Sequence, residues 1–150
     1  GMYFVTICTQ NREYLFADVV NVVGAGPCAG PKVMLNEVGL MVESIWKEIP
    51  AYYPGVQIDM FVVMPNHIHG IIELIDGRPR GAAPTLKLQD IVHRFKSLTT
   101  ARYHKQFSGK LWQRGYHDQI IRNENELNDI RQYIENNPTK WFEDPEYVNT

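Results

Sequence analysis

Residues 56–75 hold two β-rich runs, VQIDMFVVM (56–64) and HIHGIIELI (67–75), separated only by Pro65-Asn66. β-branched and aromatic side chains suit the pleated, half-covered surface of a sheet, and a two-residue break between such runs reads as a tight antiparallel hairpin. Side chains two apart along a strand share a face. His67 and His69 therefore project together from the start of the second arm, while Ile68 points to the other side. By itself the pair leaves two readings open: hydrogen-bonded rings inside a strand, or two arms of a metal clamp that needs a third ligand.

The rest of the chain supplies elements to pack against that hairpin. MYFVTICT alternates as a first strand, and VVNVV (19–23) reads as a short strand or hairpin arm. GAGPCAGP (24–31) and DGRPRGAAP (76–84) read as loops. Asn36 is placed to cap a helix whose Val38, Met41, Val42, Ile45, Trp46 and Ile49 form one apolar stripe ended by Pro50. Leu88, Ile91, Val92, Phe95, Leu98 and Thr99 mark a second helix, and GYHDQIIR (115–122) a further strand. Asn123 and Glu126, in capping-box spacing, open a third helix with Leu127, Ile130 and Ile134 inward, which stops before Pro138. These elements predict one α+β domain over 1–150: a ferredoxin-like central antiparallel sheet of four or five strands, with helices packed mainly on one face.

A chain of 150 residues is long enough to bury roughly 70% of its unfolded surface. No apolar stretch approaches the ~20 residues of a membrane-spanning helix, and GMYFVTICT lacks the features of a signal peptide, so no membrane partner and a cytoplasmic location are expected. Gly1-Met2 is either an expression scar or native sequence. Cys8 and Cys28 lack metal-ligand spacing and read as reduced thiols. The net charge of −2 hides an asymmetry: from Arg78 to Arg122 ten basic residues face two acids, Asp90 and Asp118, so that segment carries +8 and the remainder −10. Such a field neutralises phosphates even on an acidic protein; the bland reading is a solvated basic helix.

On the third helix Tyr133 and Asn137 are four residues apart and so share a face. An Asn137 carboxamide oxygen is able to complete a His, His, Asn set, with the phenol of Tyr133 one turn away, where it would attack a phosphate. The alternative is a half-buried core tyrosine and a helix-stop asparagine. Glu73, at even spacing on the histidine face, is the other candidate third ligand.

MPNHIHG followed by YIENNP on a capped helix resembles the signature of the histidine-hydrophobic-histidine (HUH) single-tyrosine transposases, and most of all the REP-associated tyrosine transposases. YFVTICTQNR and LWQRGYHDQIIRNENEL fall in the same order, so the resemblance spans almost the whole chain. It implies that His67 and His69 bind a divalent ion, Mg²⁺ or Mn²⁺, and that Tyr133 is the nucleophile. It also implies that Asn137 completes the metal site, where many insertion-sequence relatives carry Gln. The activity implied is cleavage and rejoining of single-stranded or hairpin DNA through a 5′-phosphotyrosine, by a monomer or homodimer. For that substrate Arg94, Lys96, Arg102 and Lys105, with Arg114 and Arg122, are the candidate phosphate contacts, and Trp112 and Tyr116 the candidate base platforms. Trp112 also reads as core. Tyr116 is the rival nucleophile but has no ligand four residues on, and His93, His104 and His117 have no assigned role. Two other readings compete: a hairpin-binding protein that has lost cleavage, and a small metal-dependent phosphoesterase of the histidine-triad kind, against which Ile71 stands where a third alternating histidine is expected.

Overall fold

The computed structural model of the chain describes residues 1–22, 30–75 and 86–147. Its main sheet contains β1 (Met2–Cys8), β4 (Val56–Met64), β5 (His67–Leu74) and β6 (His117–Ile121), in the order β4-β5-β1-β6, with every neighbouring pair antiparallel. This is the ferredoxin-like order, with β5 and β1 central. The hairpin and its parity are as expected: Met64 pairs with His67, and across β1 Cys8 faces His67 and Thr6 faces His69. A separate two-stranded sheet joins β2 (Ala17–Val22) to β3 (Gly30–Leu35). The strand arm expected at 19–23 thus starts two residues earlier, and KVML is its partner rather than a lead-in to the helix. Gly30 and Pro31, expected to close a loop, open β3; Pro is tolerated there because the first residues of an edge strand need no ladder donor. The rest of that loop and the whole 76–84 loop lie outside the described residues.

Two helices cover one face of the main sheet. In α1 (Glu37–Lys47) the Asn36 side chain accepts the Gly39 N–H at 2.9 Å, so the expected cap is present. A short helix α2 (Ile49–Tyr52) follows. Val42, Ile45 and Trp46 of α1 and Ile91, Val92 and Phe95 of α3 (Leu88–Tyr103) bury against Val5, Ile7, Ile68 and Ile72. The Trp46 ring stands perpendicular to Phe95, 5.2 Å between centroids, and lies so close over Gly70 that a Cβ there would enter the indole.

The opposite face carries α4 (Glu124–Asn136). Ile134, with Leu127 and Ile130, packs on Ile71, Ile121, Met2, Phe4 and Val62. Asn123 Oδ1 accepts the Glu126 N–H at 2.9 Å, and Glu126 returns a carboxylate to the Arg122 N–H at 2.8 Å, a close relative of the expected capping box. Past Asn137 the chain turns back through a 3₁₀ turn at Trp141–Glu143 and runs beneath the histidines. No helix among the described residues is long and apolar enough to cross a membrane.

Candidate metal centre and nucleophile

The β1–β5 register decides what surrounds the histidines. His67 and His69 are both buried, and their rings meet edge to face at 4.3 Å between centroids. Each has its Nδ1 occupied: His67 Nδ1 lies 2.7 Å from Asn66 Oδ1, and His69 Nδ1 lies 2.8 Å from the Thr6 hydroxyl. The Asn66 amide is oriented by its other end, which donates to the Glu146 carbonyl at 2.7 Å. Asn66 Oδ1 must therefore accept, His67 Nδ1 carries the proton, and Nε2 presents a bare lone pair. A second partner that fixes tautomer and ring plane is the usual support of a metal-ligating histidine.

Both Nε2 atoms turn toward Asp144, whose Oδ2 is 3.6 Å from His67 and 3.8 Å from His69. Ligand atoms of these three residues all lie within 4.8 Å of one another, a group able to hold a metal ion. His67 Nε2, His69 Nε2, Asp144 Oδ2 and Asn137 Oδ1 are buried with no hydrogen-bond partner. Unpaired buried polar atoms cost on the order of 1–3 kcal/mol each, a cost that a shared cation at this cluster would relieve. Asn137 lies close enough to act electrostatically on His67, Asp144 and Tyr133. A set of two imidazoles, a carboxylate and a carboxamide oxygen suits a borderline or hard divalent ion.

Electrostatics agree with that use. Burial, helped by the neighbouring His69, holds His67 well below the ordinary imidazole range, so it is neutral and ready to ligate. Burial pushes the Asp144 carboxyl up, but the neighbouring His69 and Asn137 side chains and the Glu146 N–H, which donates to Oδ1 at 2.7 Å, outweigh it and keep Asp144 ionised. Tyr133 is 40% exposed, with its ring 5.5 Å from that of His69 and 6.2 Å from Phe4. Burial and the Asp144 charge raise its phenol above the ordinary range, against a smaller opposite effect of Asn137. Burial, then Glu146, pushes the Cys8 thiol up to about 12, which leaves it inert.

Sequence reasoning missed Asp144, along with the orienting roles of Asn66 and Thr6. Asp144 sits in a segment without periodicity, brought under His67 by the turn after Pro138 and by Trp141, which is buried and stacks on the His67 ring at 5.9 Å. Its only signal is a carboxylate run, Glu143, Asp144 and Glu146, soon after the tyrosine helix. Glu73 lies four residues beyond His69, roughly 13 Å along the strand, and is not part of the cluster.

The expected nucleic-acid residues divide. Arg94, Arg102, Lys105, Arg114 and Arg122 are exposed, and the Arg94 guanidinium lies 4.8 Å from the Tyr52 ring centroid. Lys96 instead donates to the Gln113 and Gly115 carbonyls at 2.8 and 2.9 Å, tying α3 to the loop before β6. Trp112 is a correction: it is buried against Phe16 and Phe95, and its Nε1–H donates to Thr99 at 2.8 Å, so no base is able to stack on it. Tyr116 is half-buried on the wall of a groove of about 1190 Å³ that also holds Lys96, His104, Lys110 and Arg114. Tyr116 and Arg114 also line a recess of about 150 Å³ against Thr6 and Cys8, on the histidine face of β1.

Comparison with known proteins gives a consistent picture. The family model "Transposase IS200 like" matches residues 31–137. An uncharacterised protein of Haemophilus influenzae Rd is 37% identical over 166 aligned positions, covering 99% of this chain and 86% of that protein. Among solved structures, a REP-associated tyrosine transposase bound to a REP hairpin matches with a TM-score of 0.65 at 20% identity, covering 94% of this chain and 68% of that one. A Deinococcus radiodurans R1 protein described as a candidate transposase matches with a TM-score of 0.54 at 22% identity, covering 91% and 89%. These two structural matches bear on the fold.

Proposed function

We propose, from the premise that this chain belongs to the IS200-like transposase family, that it cleaves and rejoins single-stranded DNA near hairpins, with Tyr133 as nucleophile and a divalent-ion site at His67, His69, Asp144 and Asn137. One observation carries this reading: three buried, unpartnered ligand atoms lie together, with the unpartnered Asn137 oxygen on a neighbouring side chain, beside a tyrosine ring that packs on one of the two histidines. When bound, an ion such as Mg²⁺ or Mn²⁺ polarises a phosphate and offsets its charge.

The chain's own residues do the rest. Asn66 holds His67 in the ligating tautomer, and Asn66 and Thr6 together hold the two imidazole planes. The phenol starts above its ordinary range because of burial and the Asp144 carboxylate, so it becomes a competent nucleophile only when positive charge balances Asp144. Attack by the Tyr133 oxygen on phosphorus forms a 5′-phosphotyrosine as the bond to the 3′-oxygen breaks, and that oxygen leaves as a 3′-hydroxyl. The linkage keeps the energy of the broken diester, so another 3′-hydroxyl is able to reverse the step. The exposed cations of α3 and the Tyr116 groove suit the DNA strand.

The test is incubation of the full chain with a single-stranded hairpin oligonucleotide and Mn²⁺ or Mg²⁺, followed by a denaturing gel. A covalent adduct that disappears in Tyr133→Phe is expected. Hairpin binding without any adduct from the wild type would overturn cleavage and leave a binding protein; release of free mononucleotide would point to a phosphoesterase.

A further inference from the structure

We infer that the ion pair between Asp59 and Arg131 is a rotational stop for α4 that positions the Tyr133 phenol over the histidines of its own chain; this deepens the function proposed above and rests on it. The pair begins with an irregularity in β4. Ile58 pairs with Ile72 and Phe61 with Gly70, so Asp59 and Met60 together oppose the single residue Ile71. Such a bulge bends the strand and re-aims its side chains. Alternation from Ile58, which packs on the α1 and α3 core, puts Asp59 on the face that carries α4, and its Oδ1 also accepts the Met60 N–H at 2.8 Å. Arg131 meets it with both prongs of the guanidinium, Nε to Oδ1 at 2.8 Å and a terminal nitrogen to Oδ2 at 2.7 Å. Two parallel bonds fix orientation as well as distance, which a single contact does not.

The position of Arg131 on the helix gives the pair its leverage. At about 100° per residue, Arg131 and Tyr133 stand about 160° apart around the helix axis, on opposite flanks of the Leu127, Ile130 and Ile134 seam. The seam is short: three aliphatic side chains of α4 lie on Met2, Val62, Ile71, Ile121 and a single aromatic ring, Phe4, a surface that resists separation more than it resists rolling. The Asn123 cap holds only the first turn. Roll of α4 about its axis would move the phenol toward or away from His69, and the Asp59 clamp on the far flank opposes that roll in both directions. A partly exposed ion pair adds little to global stability, so its loss should be felt in placement rather than in folding.

The experiment compares the wild type with Arg131→Gln, Asp59→Asn and the reversed pair Asp59→Arg with Arg131→Asp. Two readouts are used. The first is the rate of adduct formation with a hairpin oligonucleotide and Mn²⁺. The second, without DNA or metal, is nitration of Tyr133 by tetranitromethane, mapped by peptide mass spectrometry relative to exposed Tyr52. Each single variant is expected to slow the adduct by about tenfold or more, since displacements near 1 Å cost up to about a hundredfold. Each should also change the Tyr133 to Tyr52 nitration ratio several-fold, with melting temperature nearly unchanged, and the reversed pair should recover both readouts. An unchanged nitration ratio in the single variants, or a reversed pair as impaired as they are, would overturn the stop. A wild type that forms no adduct defeats the nuclease reading alone, and the nitration ratio still decides whether the clamp places Tyr133.

Discussion

The two faces of β5 are built from alternate residues of one strand, yet they behave as different materials. On one side Ile68, Gly70 and Ile72 meet α1 and α3 in a continuous apolar core, with Trp46 seated directly on Gly70. On the other, Ile71 anchors a small aliphatic seam, and His67 and His69 open into a cluster of buried polar atoms that lack partners. The first face is apolar throughout apart from the Trp46 indole N–H, which is buried without a partner. The second is unsatisfied by design of its residues, and is covered by a helix and a turn that bring a phenol and a carboxylate to the same place. The larger apolar core thus lies on the face away from the histidines, which lets the other hold a costly arrangement.

That contrast is open to attack at each face in turn. The largest effect is expected from Tyr133→Phe: adduct with single-stranded hairpin DNA should fall below detection on a denaturing gel, while the melting curve stays within about 0.5 kcal/mol of the wild type, the usual bound for an exposed substitution. Next comes Asp144→Asn. Isothermal titration with Mn²⁺ should show affinity reduced by about 10-fold to 100-fold, because the only anionic member of the cluster is lost while the shape is kept; unchanged affinity would remove Asp144 from the site. Gly70→Ala acts on the opposite face. Its methyl group enters the Trp46 indole, and denaturant unfolding should show a loss of about 1–3 kcal/mol, as for other overpacked cores. If Gly70→Ala abolished Mn²⁺ binding at wild-type stability, the two faces would not be separable.

The strands of the main sheet, the three long helices and the shared histidine face were legible because each depends on local pattern: β4 and β5 are β-rich runs either side of Pro65-Asn66, and two of the helices carry an Asn at the expected cap. Tyr133 and Asn137 were legible as an i, i+4 pair, though only a resemblance gave them a role. What escaped depends on register and on return of the chain. Thr6 faces His69 only through the β1–β5 pairing, and Asp144 arrives by an irregular turn that no pattern announces. Trp112 met the core reading rather than the base-platform one, because an aromatic ring looks the same in sequence whether it meets DNA or a core, and the carbonyl partners of Lys96 leave no local pattern. The β3 strand was hidden by its Gly-Pro start, which reads as loop.

The smallest effect separates the faces by pH. Burial keeps His67 neutral in the folded chain far below the range where an unfolded imidazole takes up its proton. The unfolded state therefore binds more protons, so stability from this residue is present above pH about 6.5 and declines as pH falls through and below that value. Asp144 is depressed rather than raised, and its contribution is lost only at acid pH below the ordinary carboxylate range, outside this window. Between pH 7.5 and 6.0, with a chelator present, the His67 contribution should cost about 0.8 kcal/mol, taking an unfolded imidazole near 6.5. Urea unfolding of the wild type and of His67→Gln measures it. The variant should show the smaller pH slope, and equal slopes would mean that the histidine face does not carry the protonation cost that its buried, metal-free state requires.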